Sequence, residues 1–262
     1  MPKAAPPRRL NWRLALAVLA GLLLFVSTAM AARRVRSMLL ADERFFLVSG
    51  TAPGVSNIHI EGNRYASSDR IALVFAQDMN RSIFSIPIAE RRRRLLAIDW
   101  VEDASILRLW PNRLIIRVRE RGPVAFAKLP VGVSGQFRYM LIDAQGVLLA
   151  VPRQHFDFPV LSGVMEEQAE DDRRARVASM QELLRDLGPA ASAMISEINA
   201  TTPHDLRVSA TISGHPVELW LGDRNYLARF QNFTSHFEEI LRRADGDSVF
   251  DLRLDDRIMT VR

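Results

Sequence analysis

The chain has 262 residues, enough for two modest domains, and 48% are apolar against 25% charged, a globular balance that excludes a disordered chain. Cysteine is absent, which excludes disulfides, thiolate metal sites and a cysteine nucleophile. The formal charge is +5, carried almost wholly by arginine since Lys3 and Lys128 are the lysines, and part of it flanks an apolar segment, so it is not by itself a nucleic-acid footprint.

Residues 14–32 read LALAVLAGLLLFVSTAMAA, an uncharged run bracketed by Arg13 and Arg33. As a helix this run is about 28 Å long, close to the hydrocarbon thickness of a bilayer. Two readings fit it. A cleaved signal peptide would use the basic start (Lys3, Arg8, Arg9) and the A-x-A triplet at Ala29, Met30 and Ala31. A retained signal anchor would use the length of the run, with Arg33, Arg34 and Arg36 snorkelling at the far interface. Charge on the two flanks is nearly balanced, whereas almost all the chain follows the span, so both readings export the larger part.

Residues 33–53 begin basic and amphiphilic and reach Gly50, Pro53 and Gly54, which predicts a juxtamembrane helix and then a linker. A short strand follows at Ile58–Ile60, closed by the turn Glu61-Gly62-Asn63. Ser67 or Ser68 caps a helix carrying Ile71, Leu73, Val74 and Phe75, and a second helix starts at Pro87 with Ile88, Leu95, Leu96 and Ile98 inward. Strands are expected at Val101–Leu109 and Leu114–Glu120 around Trp110-Pro111-Asn112, with Leu114, Ile116 and Val118 alternating against Ile115, Arg117 and Arg119. The order is β-α-α-β-β.

Beyond Gly122-Pro123 strands are expected at Val124–Lys128, Tyr139–Asp143 and Val147–Val151, with a hairpin turn at Asp143-Ala144-Gln145-Gly146. A helix over Glu166–Leu187 places Val177, Met180, Leu184 and Leu187 on one stripe and stops at Gly188-Pro189. Strands at Ile195–Asn199, Leu206–Thr211 and Val217–Leu221 precede a helix over Arg224–Arg243 that buries Tyr226, Leu227, Phe230, Phe233, Phe237 and Ile240. The last elements are strands at Val249–Leu254 and Ile258–Val261 about the turn Asp255-Asp256-Arg257.

The chemistry-bearing residues form no catalytic set. His59, His155, His204, His215 and His236 lack ligand spacing, and neither H-E-x-x-H nor a phosphate-cradling loop occurs. Gly132-Val133-Ser134-Gly135 reads as a loop and not a nucleophile elbow, and Asp171-Asp172 and Asp255-Asp256 as a helix surface and a turn. The run Arg91–Arg94 covers all sides of a helix and lacks nearby aromatics, so it reads as a solvated face ahead of a partner or anionic-lipid contact. No metal, cofactor or nucleic acid is expected.

Six short motifs stand in order behind the lone apolar span: Ile58-x-Ile60-x-Gly62-Asn63, Trp100-Val101-x-x-Ala104, Trp110-Pro111-x-x-Leu114-x-Ile116, Glu120-Arg121-x-Pro123-Val124-Ala125, Ile142-Asp143-x-x-Gly146 and Pro159-Val160-Leu161-x-Gly163. In this order the chain resembles the FtsQ/DivIB bacterial cell-division proteins over nearly its whole length. The resemblance implies an α+β fold: a cytoplasmic tail (1–13), a signal anchor (14–32), a juxtamembrane helix and linker (33–54), a small β-α-α-β-β POTRA domain (55–122) and a larger mixed β-domain with two helices (123–262). It favours the retained anchor, in a single-pass type II protein of the bacterial inner membrane whose C-terminal domains lie outside the cytoplasm at the division septum. It also implies a non-enzymatic scaffold that bridges early and late division proteins, supports septal cell-wall synthesis, and joins FtsB and FtsL. Alternatives are a secreted POTRA-type chaperone or transport module with a cleaved signal peptide and, less well supported, an exported hydrolase.

A terminal strand commonly lies at a sheet edge, and Ile258, Met259 and Val261 are apolar with no proline to block pairing. The expected partner-binding residues are therefore Arg253, Leu254, Ile258, Met259, Thr260 and Val261, through strand addition. The resemblance supports this region as the FtsB contact, although Leu254 stands where some relatives carry an aromatic and Asp255-Asp256-Arg257 replaces a turn of small residues.

Overall fold

A computed structural model describes residues 12–48, 57–132, 135–243, 246–254 and 257–261. The tail over 1–11, the linker over 49–54, the centre of the Gly132–Gly135 loop and the Asp255-Asp256 turn lie outside the described residues. The chain divides into two compact units: one holds the N-terminal part to Ile98 with Asp103–Arg119, the other holds Asp99–Glu102 with the chain from Glu120 onward.

In the first unit the apolar run is the core of a longer helix, α1 (Trp12–Ala41). The separate juxtamembrane helix predicted after residue 32 is instead its uninterrupted continuation. No glycine or proline occurs between Gly21 and Gly50, and alanine, arginine, methionine and leucine all favour helix, so nothing stops it sooner. Asp42 then caps a 3-10 turn (Glu43–Phe45) through its carboxylate and the Arg44 N–H. Phe45 and Leu47 are buried, and Leu47 exchanges backbone hydrogen bonds with Arg81 and Asn80. The segment after α1 is therefore packed into the unit.

Strand β1 (Ile58–Glu61) pairs in parallel with β3 (Arg113–Glu120), which lies beside β2 (Val101–Leu109) in the order β1-β3-β2. Helix α2 (Ser68–Leu73) is capped by Ser67, and α3 (Ile88–Leu96) follows Pro87. Leu114, Ile116 and Val118 are buried as their alternation predicts, with Ile71, Phe75, Ile83 and Leu95 also fully enclosed. Gly62, at the end of β1, has φ +86°, and a Cβ there would stand 2.2 Å from the Val118 carbonyl oxygen, so glycine is required.

The run Arg91–Arg94 is not a uniformly solvated face. Arg91 is 4% exposed and grips Asp78, 1% exposed, through Nε at 2.6 Å and Nη2 at 3.0 Å. Arg92 reaches the Ala104 carbonyl and Asp103, and Arg94 pairs with Glu90 one turn back. Four successive positions circle the helix, so one of them must face the interior, where its charge requires a carboxylate.

The second unit is a nine-stranded sheet with the order β12-β11-β10-β9-β8-β7-β4-β5-β6. Its strands are β4 (Pro123–Val131), β5 (Gln136–Asp143), β6 (Leu148–Leu149), β7 (Val160–Ser162), β8 (Ile195–Asn199), β9 (Leu206–Ile212), β10 (His215–Gly222), β11 (Val249–Asp251) and β12 (Met259–Thr260). Two neighbouring pairs, β7 with β8 and β10 with β11, are parallel and consecutive, so each needs a crossover. Helix α4 (Glu170–Ser192) supplies the first, and α5 (Tyr226–Ser235) with α6 (Phe237–Arg243) the second. Both crossovers step in the same direction along the sheet from parallel strands, so a common right hand puts both on one face. There Val177, Met180, Leu183 and Leu187 join Tyr226, Phe230, Phe233 and Phe237 in one core with the sheet.

The helices of this unit differ in detail from the sequence expectation. The first long helix begins at Glu170, because the Arg173 guanidinium takes the carbonyls of Gly146, Glu166 and Gln168 and holds 166–168 as a loop. Gly188, at φ 72°, kinks it, and Pro189 starts a further turn. The predicted helix over 224–243 breaks at His236, after the poor helix formers Phe233-Thr234-Ser235, and Leu227 is exposed.

Candidate functional site: the C-terminal sheet edge

The end of the chain builds the site. Strand β11 is held on one side by β10, in the register Glu218↔Val249, Leu219↔Phe250 and Trp220↔Asp251. Phe250 is its anchor in the core, with its ring 4.9 Å from that of Phe233. Regular pairing stops at Asp251, short of the predicted Leu254, for a local reason. The Asp251 carboxylate accepts the Arg253 N–H at 3.0 Å and clasps the Arg253 guanidinium through Nε at 2.9 Å and Nη2 at 2.6 Å. A carboxylate that takes its own backbone N–H two residues on competes with the ladder and turns the chain. Asp251 itself is buried. Those hydrogen bonds from Arg253 are the main reason its carboxyl is held below the ordinary value of 3.8, against the opposing effect of burial.

Arg253 also lies 4.9 Å from the centroid of the Trp220 ring and 3.5 Å from Asp205. Arg207 lies over the same indole at 4.0 Å and pairs with Asp205 at 3.8 Å. Arg229, buried on α5, donates to the Leu221 carbonyl at 2.6 Å and the Arg253 carbonyl at 2.8 Å, tying the exit of β11 to β10. A signal for Arg229 was present in the sequence as the basic residue inside the apolar stripe of Tyr226, Phe230 and Phe233. Arg207 and Trp220 left none, because they meet only through the pairing of β9 with β10.

Leu254 follows at 46% exposure, and β12 then returns antiparallel to β11, with Asp251↔Met259 and Phe250↔Thr260. The Val261 N–H donates to the Val249 carbonyl at 2.9 Å. Pairing alternates along an antiparallel ladder, so Val261 and Met259 direct their backbone groups at β11. Thr260, and Ile258 before the strand, direct theirs away. Strand β12 ends the sheet order, and among the described residues no strand pairs its outer side. Met259 is 41% exposed, Thr260 exposed, and Ile258 and Val261 half-buried.

Two depressions flank this edge on the helix side. One is lined by Asn225, Ala228, Asn232, Leu252, Leu254 and Ile258, the other by His236, Glu239, Ile240, Phe250, Ile258 and Thr260. Ile258 belongs to both and packs against the core. The structure thus brings all six expected residues into one strip: backbone groups outward at Ile258 and Thr260, apolar side chains at Leu254, Ile258 and Met259, and a clamped arginine behind them. Such a strip can add a strand and seat alternate side chains. Among the described residues no three histidine or carboxylate side chains gather as a metal site.

Comparison with known proteins bears on the same two units. The FtsQ-type POTRA domain family matches residues 54–121, and the C-terminal domain family of cell division protein FtsQ/DivIB matches residues 133–253. The cell division protein FtsQ of Koribacter versatilis is 34% identical over 209 residues, covering 78% of this chain and 58% of its own. That of Syntrophotalea carbinolica is 25% identical over 213 residues, covering 78% and 72%. The FtsQ of Shewanella oneidensis is 25% identical over 211 residues, covering 80% and 74%. The chain thus spans little more than half of the Koribacter relative and about three quarters of the other two.

Proposed function

Because this chain belongs to the FtsQ/DivIB family of cell-division proteins, we propose that it is a non-enzymatic scaffold of the division machinery whose docking edge for the FtsB–FtsL pair is β12. In this reading α1 is a retained single-pass anchor in the inner membrane. The two units lie outside the cytoplasm at the septum and bridge early and late division proteins in support of septal wall synthesis. One observation carries the docking proposal: the sheet ends in a strand whose Thr260 backbone points outward beside exposed apolar side chains. An extended partner segment gains backbone hydrogen bonds there, and its alternate side chains enter the two depressions. Arg253 and Leu254 flank the contact, with Arg253 held in place by Asp251.

The test is capture of purified FtsB–FtsL by the full chain carrying proline at one of two adjacent positions. Thr260→Pro deletes an outward N–H and fixes φ. The lost hydrogen bond is worth about 1 kcal/mol, or about fivefold in affinity, before any steric cost. It should weaken capture while the Val261 amide keeps its protection from hydrogen exchange. Met259→Pro removes a donor to β11 and should expose the Val261 amide to exchange. Normal capture by Thr260→Pro, with normal capture after truncation beyond Asp256, places the docking site elsewhere.

A further inference from the structure

The far end of α1 does more than lead out of the membrane. The helix is about 45 Å long, against a hydrocarbon core of roughly 30 Å. If residues 14–32 fill that core, the turns from Arg33 to Leu40 stand in and just above the headgroup layer. The first unit is fastened to those turns. The Ser82 hydroxyl donates to the Leu39 carbonyl at 2.7 Å, and Phe84 and Ser85 line one groove with Ala32, Val35, Arg36 and Leu39. Ala32 is the last residue of the uncharged run, so the groove that Phe84 and Ser85 help to line extends along α1 from the level where the hydrocarbon ends.

That loop is rigid. Arg108, on β2, donates to the Ile83 carbonyl at 2.7 Å and the Ile86 carbonyl at 2.6 Å, bracketing Phe84. Beside it, the ring centroid of buried Phe45 lies 5.4 Å from that of Phe84 and 6.3 Å from that of Trp110. Trp110 is 75% exposed, Phe84 38%, and Leu109, Val35 and Met38 are exposed next to them in sequence or on α1. An indole bare to water at a hairpin tip is costly in water and favourable at the level of lipid headgroups, where its ring is half wetted. Arg33, Arg34 and Arg36 bring positive charge to the same level, where phosphates are the counterions.

We propose that the first unit is seated on the lipid surface, with Phe84 and Trp110 immersed in the headgroup layer beside α1. The patch is continuous with the lipid-facing surface of the span, none of whose apolar window is buried in the fold. The seat fixes the height of the unit above the bilayer and rests only on α1 crossing the membrane, not on the identity of any protein partner.

Since the chain has no cysteine, single cysteines can carry a nitroxide without further change. Full-length Phe84→Cys, Trp110→Cys and Leu23→Cys variants are labelled and reconstituted into phosphatidylethanolamine–phosphatidylglycerol vesicles. Collision rates are then measured with oxygen and with an aqueous nickel complex. At 84 and 110 the nickel rate should fall several-fold below that of a nitroxide free in buffer, while the oxygen rate rises. Trp110 is mostly exposed, so it serves if Phe84→Cys disturbs the loop. Nickel access at 84 and 110 equal to that in buffer, with Leu23 protected, overturns the seat and leaves the span intact. Shielding from both reagents with dipolar broadening between labels places a second copy there instead and also overturns it. Water access at Leu23 removes the span on which the seat depends.

Discussion

Replacing Arg91 tests whether the arginine run is structural. Its guanidinium and the Asp78 carboxylate are almost wholly withdrawn from solvent, at 4% and 1% exposure, and meet through two hydrogen bonds of 2.6 and 3.0 Å. Arg91→Ala leaves the Asp78 carboxylate buried without its main counterion. Removal of one partner of such a pair costs about 3–5 kcal/mol. Against a total stability of about 5–15 kcal/mol for a domain, this is a large fraction. Attraction between the partners is only part of that figure; the remainder is the penalty for an uncompensated charge. The double variant Arg91→Met with Asp78→Leu removes both charges at similar volume and should therefore recover most of the loss. Arg91→Lys keeps the charge but loses the two-pronged grip, and should fall between. Hydrogen exchange of the full-length protein is the suitable assay, because it reads the amides of β1 and β3 separately from those of the second unit. If Arg91→Ala leaves exchange in β1 and β3 unchanged, or if the double variant is as unstable as the single one, the pair does not stabilise the unit as argued.

Two further outcomes follow from geometry elsewhere. Gly62→Ala should destabilise the first unit by more than about 1 kcal/mol in a denaturant titration, since its Cβ would collide with the Val118 carbonyl and φ is positive. Asp251 has a folded-state pKa below its unfolded value because of its bonds to Arg253, so its contribution to stability is full above about pH 4 and is lost as pH falls through the folded value. The gap in melting temperature between the parent and Asp251→Asn should accordingly be constant near about pH 7 and close on acidification below about pH 4; a gap that widens there would contradict the assignment.

The apolar and alternating patterns were legible because they report burial directly. Leu114, Ile116 and Val118 had a period of two, and the strand carrying them lies where that period put it. The helix stripe of Tyr226, Phe230 and Phe233 was equally plain. What the pattern could not report was the side chain that contradicts its own class. Arg91 and Asp78 are thirteen positions apart, and nothing local in either says that they share one buried site. A run of four arginines reads as solvated until a fold assigns one of them to the inside.

The sheet edge divides in the same way. That the strand at residues 258–261 would be apolar and unblocked by proline followed from composition there. The outward direction of the Thr260 backbone did not. It depends on the register of β12 against β11, which is set by where β11 stops, and β11 stops where Asp251 captures Arg253. A shift of one residue in that register would turn the Met259 backbone outward and the Thr260 backbone inward. The side chain of Asp251 therefore reaches the edge through the turn it imposes. Loss of its grip would alter which backbone groups a partner strand meets, even though the carboxylate itself lies behind the edge.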